Sequence, residues 1–394
     1  MTKRSGAPRA LILCPEAPFP VIGGGPLRTA SLVHYLAQRY ELDAIVFWEP
    51  DAPDPEDEFP EGLLQNLLVL KLPYHSKDFV PRTTRNLSRW FRGVPPHDDR
   101  FGGQQGKIEE WIAGRAYDLV VVEHFWCSGY AEVLRPHTRR LALDLHNIES
   151  EFYARRAAVE PWPMKVALEA FAAANRKLEA ERLPLFDVLL TPSIEDAVRV
   201  KHKQSIVYPN SIPACPRPER EERAAIAFSG NLEFPPNITA VEWFRDHVWN
   251  RVRSEFTDLE WRIIGKNPRA IDGLVQGTPG VNVMGPVEDA VAELAQCQVA
   301  VAPILSGSGT RLKILEAWAA GTPVVSTRLG AEGLPVEAGK EVALADTPED
   351  FAGELIRLLR DPEGRSRLGA AGRKLYESAF TWDRAWEILQ SHGL

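Results

Sequence analysis

The sequence predicts an α/β protein built from two doubly wound, Rossmann-like domains. Short, continuous apolar runs alternate with helical patterns along both halves of the chain. Such runs are typical of parallel strands that are covered by helices on both faces. At 394 residues the chain is also too long for one ordinary hydrophobic core. The stretch 208–222 is rich in proline and charge, as linkers are, and it predicts domains over 1–207 and 208–379.

Eleven apolar runs are the predicted strands, six before the linker and five after it. The first six are Ala10–Cys14, Leu42–Phe47, Leu67–Leu70, Leu119–Val122, Leu141–Leu145 and Val188–Thr191. The other five are Ala225–Phe228, Leu259–Ile264, Val281–Met284, Val299–Ala302 and Pro323–Ser326. Two such sets predict two separate parallel sheets, one in each domain.

Composition and charge exclude several classes of function. Hydrophobic residues make up 44% of the chain and charged residues 25%, which is typical of soluble globular proteins. The net charge of −8 argues against a general nucleic-acid surface. The four cysteines fit no metal-ligand spacing and predict thiols in a reducing, cytoplasmic compartment. The apolar run that ends at Cys14 is too short for a lipoprotein signal, and a first strand explains it better.

The segment 302–334 predicts a strand, a glycine-rich turn, a helix and a second strand. Glycines in the turn Ser306–Thr310 allow a backbone to approach a ligand closely. The start of the helix offers free N–H groups and a positive dipole end, which together favour an anion such as phosphate. Arg311 and Lys313 stand in the first helical turn, where the dipole disfavours cations, and a bound phosphate or a carboxylate would explain them.

Glu316 lies further along the same predicted helix. A carboxylate there can accept hydrogen bonds from two hydroxyls, such as the 2′- and 3′-hydroxyls of a ribose. The alternative is an ordinary strand–helix unit with a glycine turn, since short glycine motifs match by chance.

The string 307-GSGTRLKILEAWAAGTPVVST-327 resembles the donor-site signature of GT-B glycosyltransferases, in particular the large retaining group called family 4. The resemblance covers most of the chain, weakly at the start and strongly after about Ala225. It implies two domains that face each other across a cleft, and a nucleotide-diphosphate sugar as donor. It also implies no metal ion or cofactor, and an acceptor hydroxyl on a sugar, a lipid-linked sugar or a small molecule. Because the last helix of such enzymes packs on the first domain, 380–394 is assigned to that domain.

The resemblance also implies how the sugar is transferred. The backbone of Gly309 and Thr310, the helix dipole and Arg311 would stabilise the leaving diphosphate, whose oxygen takes the acceptor proton on the same face. Many relatives carry two glutamates separated by seven residues. Glu316 matches the second, but Ser308 stands at the first, which in relatives contacts the donor sugar. The identity of the sugar is therefore not set by the sequence.

The second domain begins with 226-IAFSGNLEFPPN-237, which predicts a strand, a turn at Gly230 and a helix. Many relatives carry arginine just after this glycine and lysine about six residues later, and both bind the donor phosphates. Asn231 and Asn237 take those positions here, so other cations, Lys266 among them, would have to neutralise the diphosphate. The alternatives are turn and cap roles for the asparagines, and a surface position for Lys266.

In the first domain, Gly23, Gly24 and Gly25 lie between the first strand and the first helix, with Arg28 in the early turns of that helix. This loop belongs to the carboxyl edge of the sheet, where ligands of doubly wound domains bind. The resemblance implies that the loop lies near the donor phosphates and the acceptor. A flexible turn with Arg28 on the surface is the alternative.

Two histidines come directly after predicted strands, His124 after 119-LVVVE-123 and His146 after 141-LALDL-145. Both should lie at the carboxyl edge of the first sheet, where neutral imidazoles can bind sugar hydroxyls or phosphate at working pH. Asn147 adds a third polar group, and the string 144-DLHNIES-150 resembles a recurring piece of the subgroup. The resemblance implies contact with the donor sugar. The alternative is a pair of ordinary loop histidines.

Segment 82–100 places Arg85, Arg89 and Arg92 on one helical face, with Trp90 among the apolar residues nearby. Relatives bind acceptors or lipid surfaces in this domain, so peripheral membrane contact is one interpretation and an ordinary amphipathic helix is the other. The resemblance implies a retaining hexosyltransferase that acts in polysaccharide or glycoconjugate synthesis. A nucleotide-sugar 2-epimerase of the same fold and a catalytically silent sugar-nucleotide-binding partner are the alternatives.

Overall fold

A computed structural model describes residues 6–21, 24–76, 78–219, 221–306 and 312–394 of the chain. The chain divides into two compact units, Met1–Pro209 together with Ile388–Leu394, and Asn210–Glu387. Each unit contains one sheet whose described strands all pair in parallel, with helices between successive strands except between the last two of the second unit. The prediction of two doubly wound, Rossmann-like domains is therefore confirmed.

The described strands of the first unit form a seven-stranded sheet in the order β3-β2-β1-β4-β5-β6-β7. They are β1 Arg9–Cys14, β2 Glu41–Trp48, β3 Asn66–Lys71, β4 Tyr117–Glu123, β5 Thr138–Asp144, β6 Val188–Thr191 and β7 Ser205–Val207. The second unit has a six-stranded sheet in the order β10-β9-β8-β11-β12-β13 over its described strands. They are β8 Arg223–Ser229, β9 Glu260–Ile264, β10 Val281–Gly285, β11 Cys297–Ala302, β12 Val324–Ser326 and β13 Ala343–Leu344.

Seventeen α-helices are described in the same residue ranges, nine of them before β7. The first nine are α1 Gly24–Ala37, α2 Pro55–Glu58, α3 Phe79–Arg92, α4 Pro96–Phe101, α5 Gln105–Ile112, α6 Ala131–Leu134, α7 Glu149–Val159, α8 Met164–Arg182 and α9 Ile194–Val200. The others are α10 Pro235–Phe244, α11 Asn250–Glu255, α12 Asp272–Val275, α13 Ala290–Ala295, α14 Leu312–Ala319, α15 Pro348–Arg360, α16 Pro362–Ala379 and α17 Trp382–Ser391. Across the described parts of the chain, no helix is both long and apolar enough to span a bilayer.

All eleven predicted apolar runs contain strands. Most of their side chains are buried because helices cover both faces of each sheet, whereas those of the edge strands β3 and β10 are mostly half-buried. Two strands were not predicted. Strand β7 has three residues and β13 has two, and runs this short carry no periodic signal. Both pair at the edge of a sheet, so neighbouring strands rather than local sequence decide that they are extended.

The order of strands reverses at one point in each sheet, between β1 and β4 in the first unit and between β8 and β11 in the second. At such a point the connections from the two neighbouring strands leave in opposite directions and open a crevice at the carboxyl ends. The candidate site residues that the structure describes lie on or just after β1, β4, β5, β8 and β9, or on the helices that follow β1 and β11.

Candidate functional site

Two glycines bring the ends of β8 and β9 unusually close together. Gly230 has φ +149° and Gly265 has φ +154°, backbone conformations that side chains disfavour. A Cβ on Gly265 would lie 1.7 Å from the carbonyl oxygen of Gly230, so only glycine fits at position 265. The turn after β8 is therefore a tightly packed backbone surface at the carboxyl edge of the second sheet.

Asn231 and Asn237 organise the turn after Gly230. The Asn237 side-chain Nδ2 donates to the carbonyl oxygen of Asn231 at 2.7 Å. The side-chain oxygen of Asn231 accepts from Asn267 Nδ2 at 3.0 Å and from the backbone N–H of Glu233 at 3.1 Å. Both asparagines therefore hold the turn together, as one interpretation of the sequence proposed, but neither caps α10, whose N-cap is Phe234.

Lys313 joins this cluster from α14. Its ammonium donates to Asn237 Oδ1 at 2.7 Å and lies 4.0 Å from the ring centroid of Phe228 on β8. A Cβ on Gly230 would lie 3.2 Å from the same nitrogen. The structure thus places a cation at the glycine turn, beside the side chain of Asn237, where the sequence suggested that cations were missing.

Glu316 lies one helical turn further along α14 and is half-buried. Its Oε2 accepts a hydrogen bond from Ser229 Oγ, at the end of β8, at 3.1 Å. Burial raises the pKa of the Glu316 carboxyl, while the Ser229 hydrogen bond and the Lys313 charge oppose that rise. A carboxylate that already accepts from one hydroxyl at this sheet edge is suited to accept from others.

Lys266 is half-buried directly after the turn at Gly265, and its carbonyl oxygen accepts from the N–H of Leu232 at 2.9 Å. Its backbone therefore helps to close the same turn. The remaining residues predicted for this site, Ser308, Gly309, Thr310 and Arg311, lie outside the described residues, as does Gly23 of the first unit.

In the first unit, two carboxylates end neighbouring strands at the same level. Glu123 ends β4 and Asp144 ends β5, and the two are register partners. The predicted histidines, His124 and His146, lie beside them, with ring centroids 3.5 Å apart. His146 Nε2 lies 2.7 Å from Glu123 Oε2 and 3.5 Å from Asp144 Oδ2. The structure therefore brings both predicted histidines together, with two acids that the sequence analysis did not select.

Arg28 is buried, unlike in the surface alternative that the sequence left open. Its side chain is 2% exposed, so it is not a surface residue. Its guanidinium donates to both carboxylate oxygens of Asp144, at 2.8 and 2.5 Å, and to the carbonyl oxygen of Tyr208 at 2.7 Å. These bonds make Arg28 a buried partner of Asp144. Contact of Arg28 with a donor stays a prediction.

The two histidines carry different charges. Burial lowers the pKa of His146, but its hydrogen bonds to Asp144 and Glu123 outweigh burial and raise that pKa to about 9. Burial, followed by the His146 charge, lowers the pKa of His124 well below its usual range. These opposite shifts favour an imidazolium at His146 and a neutral imidazole at His124 at neutral pH.

His124 has the features of a ligand-binding side chain. It is 6% exposed, it has φ +61° although it is not glycine, and its ring stacks on Trp126 at 4.3 Å. Its Nε2 atom is buried and has no hydrogen-bond partner among the described residues. That atom lies 3.9 Å from the position that a Cβ on Gly25 would occupy. An unsatisfied imidazole nitrogen thus lies next to the glycine loop at the start of α1.

The other predicted residues of this edge take neighbouring positions. Gly24 is exposed at the first residue of α1, and a Cβ on Gly25 would lie 2.9 Å from Glu16 Oε1. Asn147 follows His146 and is half-buried. Contact of Gly24, Gly25 and Asn147 with a donor stays a prediction.

Within the described ranges, Glu123, Asp144 and His146 offer ligand atoms within 4.8 Å of one another, as a metal site would. Asp144 is already bound on both oxygens by Arg28, and His146 carries a positive charge. A divalent ion would therefore have to displace the Arg28 guanidinium from Asp144 and the proton from His146. The residues do not fit a metal ion, although the expectation of a metal-free enzyme stays a prediction.

Segment 82–100 forms the end of α3 and all of α4 except its last residue. Arg89 and Arg92 both pair with Asp99, at 2.8 and 2.6 Å. Phe91 is 79% exposed on the same helix. The predicted amphipathic helix is present, and contact of this helix with an acceptor or a membrane stays a prediction.

A register rule could have found the missed acids. Glu123 and Asp144 are each the last residue of a buried strand, and each comes one or two residues before a histidine. Acidic residues at the carboxyl ends of adjacent strands meet when those strands pair in register. The pairing of Lys313 with Asn237 had no such signal, because 76 positions of sequence separate the two residues.

Comparison with known protein families finds that residues 223–361 match the family model described as "Glycosyl transferases group 1". This range contains the turn at Gly230 and helix α14. The chain is also 39% identical over 363 residues to the MMP α-(1→4)-mannosyltransferase of Mycolicibacterium hassiacum, covering 82% of this chain and 85% of that protein.

Solved structures with the same fold cover almost the entire chain. Sucrose-phosphate synthase from Thermosynechococcus elongatus superposes with a TM-score of 0.73 at 16% identity, covering 98% of both chains. The Anabaena protein HepE, in complex with UDP and glucose, superposes with a TM-score of 0.65 at 12% identity. That match covers 98% of this chain and 99% of the other.

Proposed function

The chain belongs to the family of glycosyl transferases group 1 and is a hexosyltransferase of the GT-B fold, and on this premise we propose its donor and its stereochemical course. The donor is a nucleotide-diphosphate sugar, and the hexose passes to an acceptor hydroxyl with retention of anomeric configuration. The related mannosyltransferase is named for an α-linked product, which is what retention from an α-linked nucleotide sugar produces.

The observation that carries the choice of donor is the position of Glu316. Its half-buried carboxylate accepts from Ser229 Oγ at the carboxyl end of β8, beside the point where strand order reverses. A ribose diol bound at this edge would donate one or two hydrogen bonds to the same carboxylate. The HepE structure contains UDP in a protein of the same fold, which supports a nucleotide ligand.

During transfer, the bond between the sugar C1 and the diphosphate oxygen breaks, and a bond from the acceptor oxygen to C1 forms. The acceptor proton passes to the leaving phosphate oxygen on the same face of the sugar. Negative charge therefore builds up on the diphosphate, and fixed positive groups near the glycine turn lower the energy of that state. The predicted contributors are the backbone of Gly309 and Thr310, and Arg311.

The neutral imidazole of His124 is proposed to bind a hydroxyl of the transferred sugar. Its Nε2 is buried without a partner among the described residues, so a hydroxyl would satisfy a group that otherwise carries a desolvation cost. His146 is proposed to act indirectly, because its Nε2 already contacts Glu123 and Asp144. It holds the strand ends and the His124 ring in place.

The test is incubation of the enzyme with a panel of nucleotide sugars, each with and without a panel of sugar acceptors. We expect nucleoside diphosphate release that depends on acceptor, and a product whose anomeric proton in NMR shows the donor's configuration. Acceptor-independent epimerisation would favour the 2-epimerase instead. Binding without any turnover would favour a silent binding protein, and an inverted product would overturn retention.

A further inference from the structure

Aromatic side chains form one stacked column at the carboxyl edge of the first sheet. We infer that Trp126 is a positioning residue that fixes the ring of His124, and that Glu149 holds Trp126 in place. This inference rests on the proposed contact of His124 with the transferred sugar, and it names the groups that direct that contact.

The column consists of His146, His124, Trp126 and His97, in that order. The ring centroid of His124 lies 3.5 Å from that of His146 and 4.3 Å from that of Trp126. The indole of Trp126 also lies 4.1 Å from the ring of His97, with an interplanar angle of 7°. Because two rings stacked this closely on the indole cannot share one face, His124 and His97 cover opposite faces of it. Packing therefore fixes the plane of the His124 imidazole.

The same contacts show how Trp126 can act. Imidazoles cover both faces of the indole, so neither face is open to a sugar ring. Burial, followed by the Arg89 charge, lowers the pKa of His97 to about 4, and burial lowers the pKa of His124 as well. The indole is thus packed between neutral rings rather than bound to a cation. Its effect on a ligand has to pass through His124.

A hydrogen bond fixes the indole within its own plane. Trp126 Nε1 donates to Glu149 Oε1 at 2.9 Å, and Glu149 is the first residue of α7 and is 4% exposed. The start of α7 is itself held by α8, because the Glu179 carboxylate accepts from the N–H and the hydroxyl of Ser150 at 2.9 and 2.6 Å. The indole is therefore bound to a helix that is fixed in turn.

The hydrogen bond from Trp126 to Glu149 joins the two connections that carry the histidines. Trp126 comes two residues after His124, behind β4, and Glu149 comes three residues after His146, behind β5. The bond helps to set the direction of His124 Nε2, the buried nitrogen without a partner among the described residues. Because a misplacement of about 1 Å can slow an enzyme about a hundredfold, this direction matters for transfer.

The experiment compares wild type with Trp126→Leu, which removes the aromatic face, and with Trp126→Phe, which keeps that face but loses the N–H donor. Turnover is measured with the donor and acceptor pair found in the nucleotide-sugar panel. Trp126→Leu should lower kcat about a hundredfold. Trp126→Phe should lose only about three- to tenfold, as expected for one hydrogen bond. Nucleoside diphosphate affinity, measured by calorimetry, should stay within about threefold of wild type in both variants.

Variants at position 149 test the hydrogen bond separately. Glu149→Gln keeps an oxygen that accepts from the indole, and its kcat should stay within about twofold of wild type. Glu149→Met has a similar length, accepts no such bond and leaves no buried acid, and it should lose about three- to tenfold in kcat. If Trp126→Leu does not fold, Glu149→Met decides the question. The control Trp162→Leu removes a tryptophan that is 80% exposed and should transfer as wild type.

NMR of labelled histidine gives a signature that stability alone would not produce. The carbon-bound ring protons of His124 lie over the indole face, so their signals should be shifted upfield in wild type. The signals should move downfield in Trp126→Leu and stay in place in Trp162→Leu.

Unchanged His124 signals in Trp126→Leu, or full turnover of this variant or of Glu149→Met, would overturn the positioning role while leaving the proposed function intact. A nucleoside diphosphate affinity that falls as far as kcat would overturn it too, because Trp126 would then support the fold alone. A wild-type protein that binds a nucleoside diphosphate and transfers no sugar would instead overturn the proposed function, and this inference with it.

Discussion

The charge on His146 makes a prediction about stability that can be worked out from the structure. His146 is buried, with its Nε2 at 2.7 Å from Glu123, and its pKa is raised to about 9 in the folded protein. In the unfolded chain the pKa of histidine is about 6.5. A raised folded-state pKa stabilises the protein fully below about pH 6.5, and that contribution is lost as the pH rises through about 9.

The magnitude follows from proton linkage. With pKa values of about 6.5 and about 9, the contribution of His146 to the free energy of unfolding falls by about 2 kcal/mol between pH 6.5 and pH 8.5. The His146→Gln variant lacks the titrating group, so this part of the pH dependence should disappear from it. The variant should also be less stable than wild type at pH 6.5, because Glu123 loses its charged partner.

The assay is urea unfolding, followed by tryptophan fluorescence, at pH 6.5, 7.5 and 8.5. The informative quantity is the difference in the free energy of unfolding between wild type and His146→Gln at each pH. The contributions of the buried thiols and of other titrating groups cancel in that difference. His392→Gln, which removes an exposed histidine near the C-terminus, is the control and should follow wild type. Nitrogen NMR of labelled histidine measures the pKa of His146 directly.

Two results would refute this reasoning. A stability difference between wild type and His146→Gln that stays constant from pH 6.5 to 8.5 would show that His146 does not change its charge there. An NMR titration of His146 near pH 6.5 would show that Glu123 and Asp144 do not hold its proton.

Three further predictions concern the two sheet edges. Glu316→Gln should weaken nucleoside binding by about 1–3 kcal/mol, because a neutral amide accepts hydrogen bonds from ribose hydroxyls less strongly than a carboxylate does. Unchanged affinity in calorimetry would exclude a role of Glu316 in binding the ribose. Gly265→Ala should destabilise the second unit by at least about 2 kcal/mol, because the new Cβ would lie 1.7 Å from the carbonyl oxygen of Gly230. The control Gly273→Ala adds a Cβ with no atom within 4 Å and should have the melting temperature of wild type. His124→Asn keeps a polar side chain but removes the imidazole, and should lower turnover about tenfold with nucleoside diphosphate affinity unchanged. Full turnover of this variant would make His124 structural.

The sequence by itself determined the fold and the sheet edge at which most of the described candidate residues lie. Continuous apolar runs such as Leu119–Val122 predict buried parallel strands, because burial on both faces removes the alternation of an exposed strand. Parallel strands end at a common edge, so the histidines after two such runs were expected near each other, and their rings are 3.5 Å apart. The turn at Gly230 was likewise predicted from its position after a strand.

Only the tertiary structure decided which side chains form ion pairs and hydrogen bonds, and which of them are charged. Arg28 and Asp144 are 116 positions apart, and no local pattern indicates that they form a buried ion pair. The same is true of Lys313 and Asn237, 76 positions apart, whose contact depends on how α14 and α10 pack beside β8. Periodicity reports which face of an element is buried, whereas a pKa or an ion pair depends on atoms that strand order brings within a few ångströms. The fold was therefore predictable from local pattern, and the chemistry of its site was decided by long-range contacts.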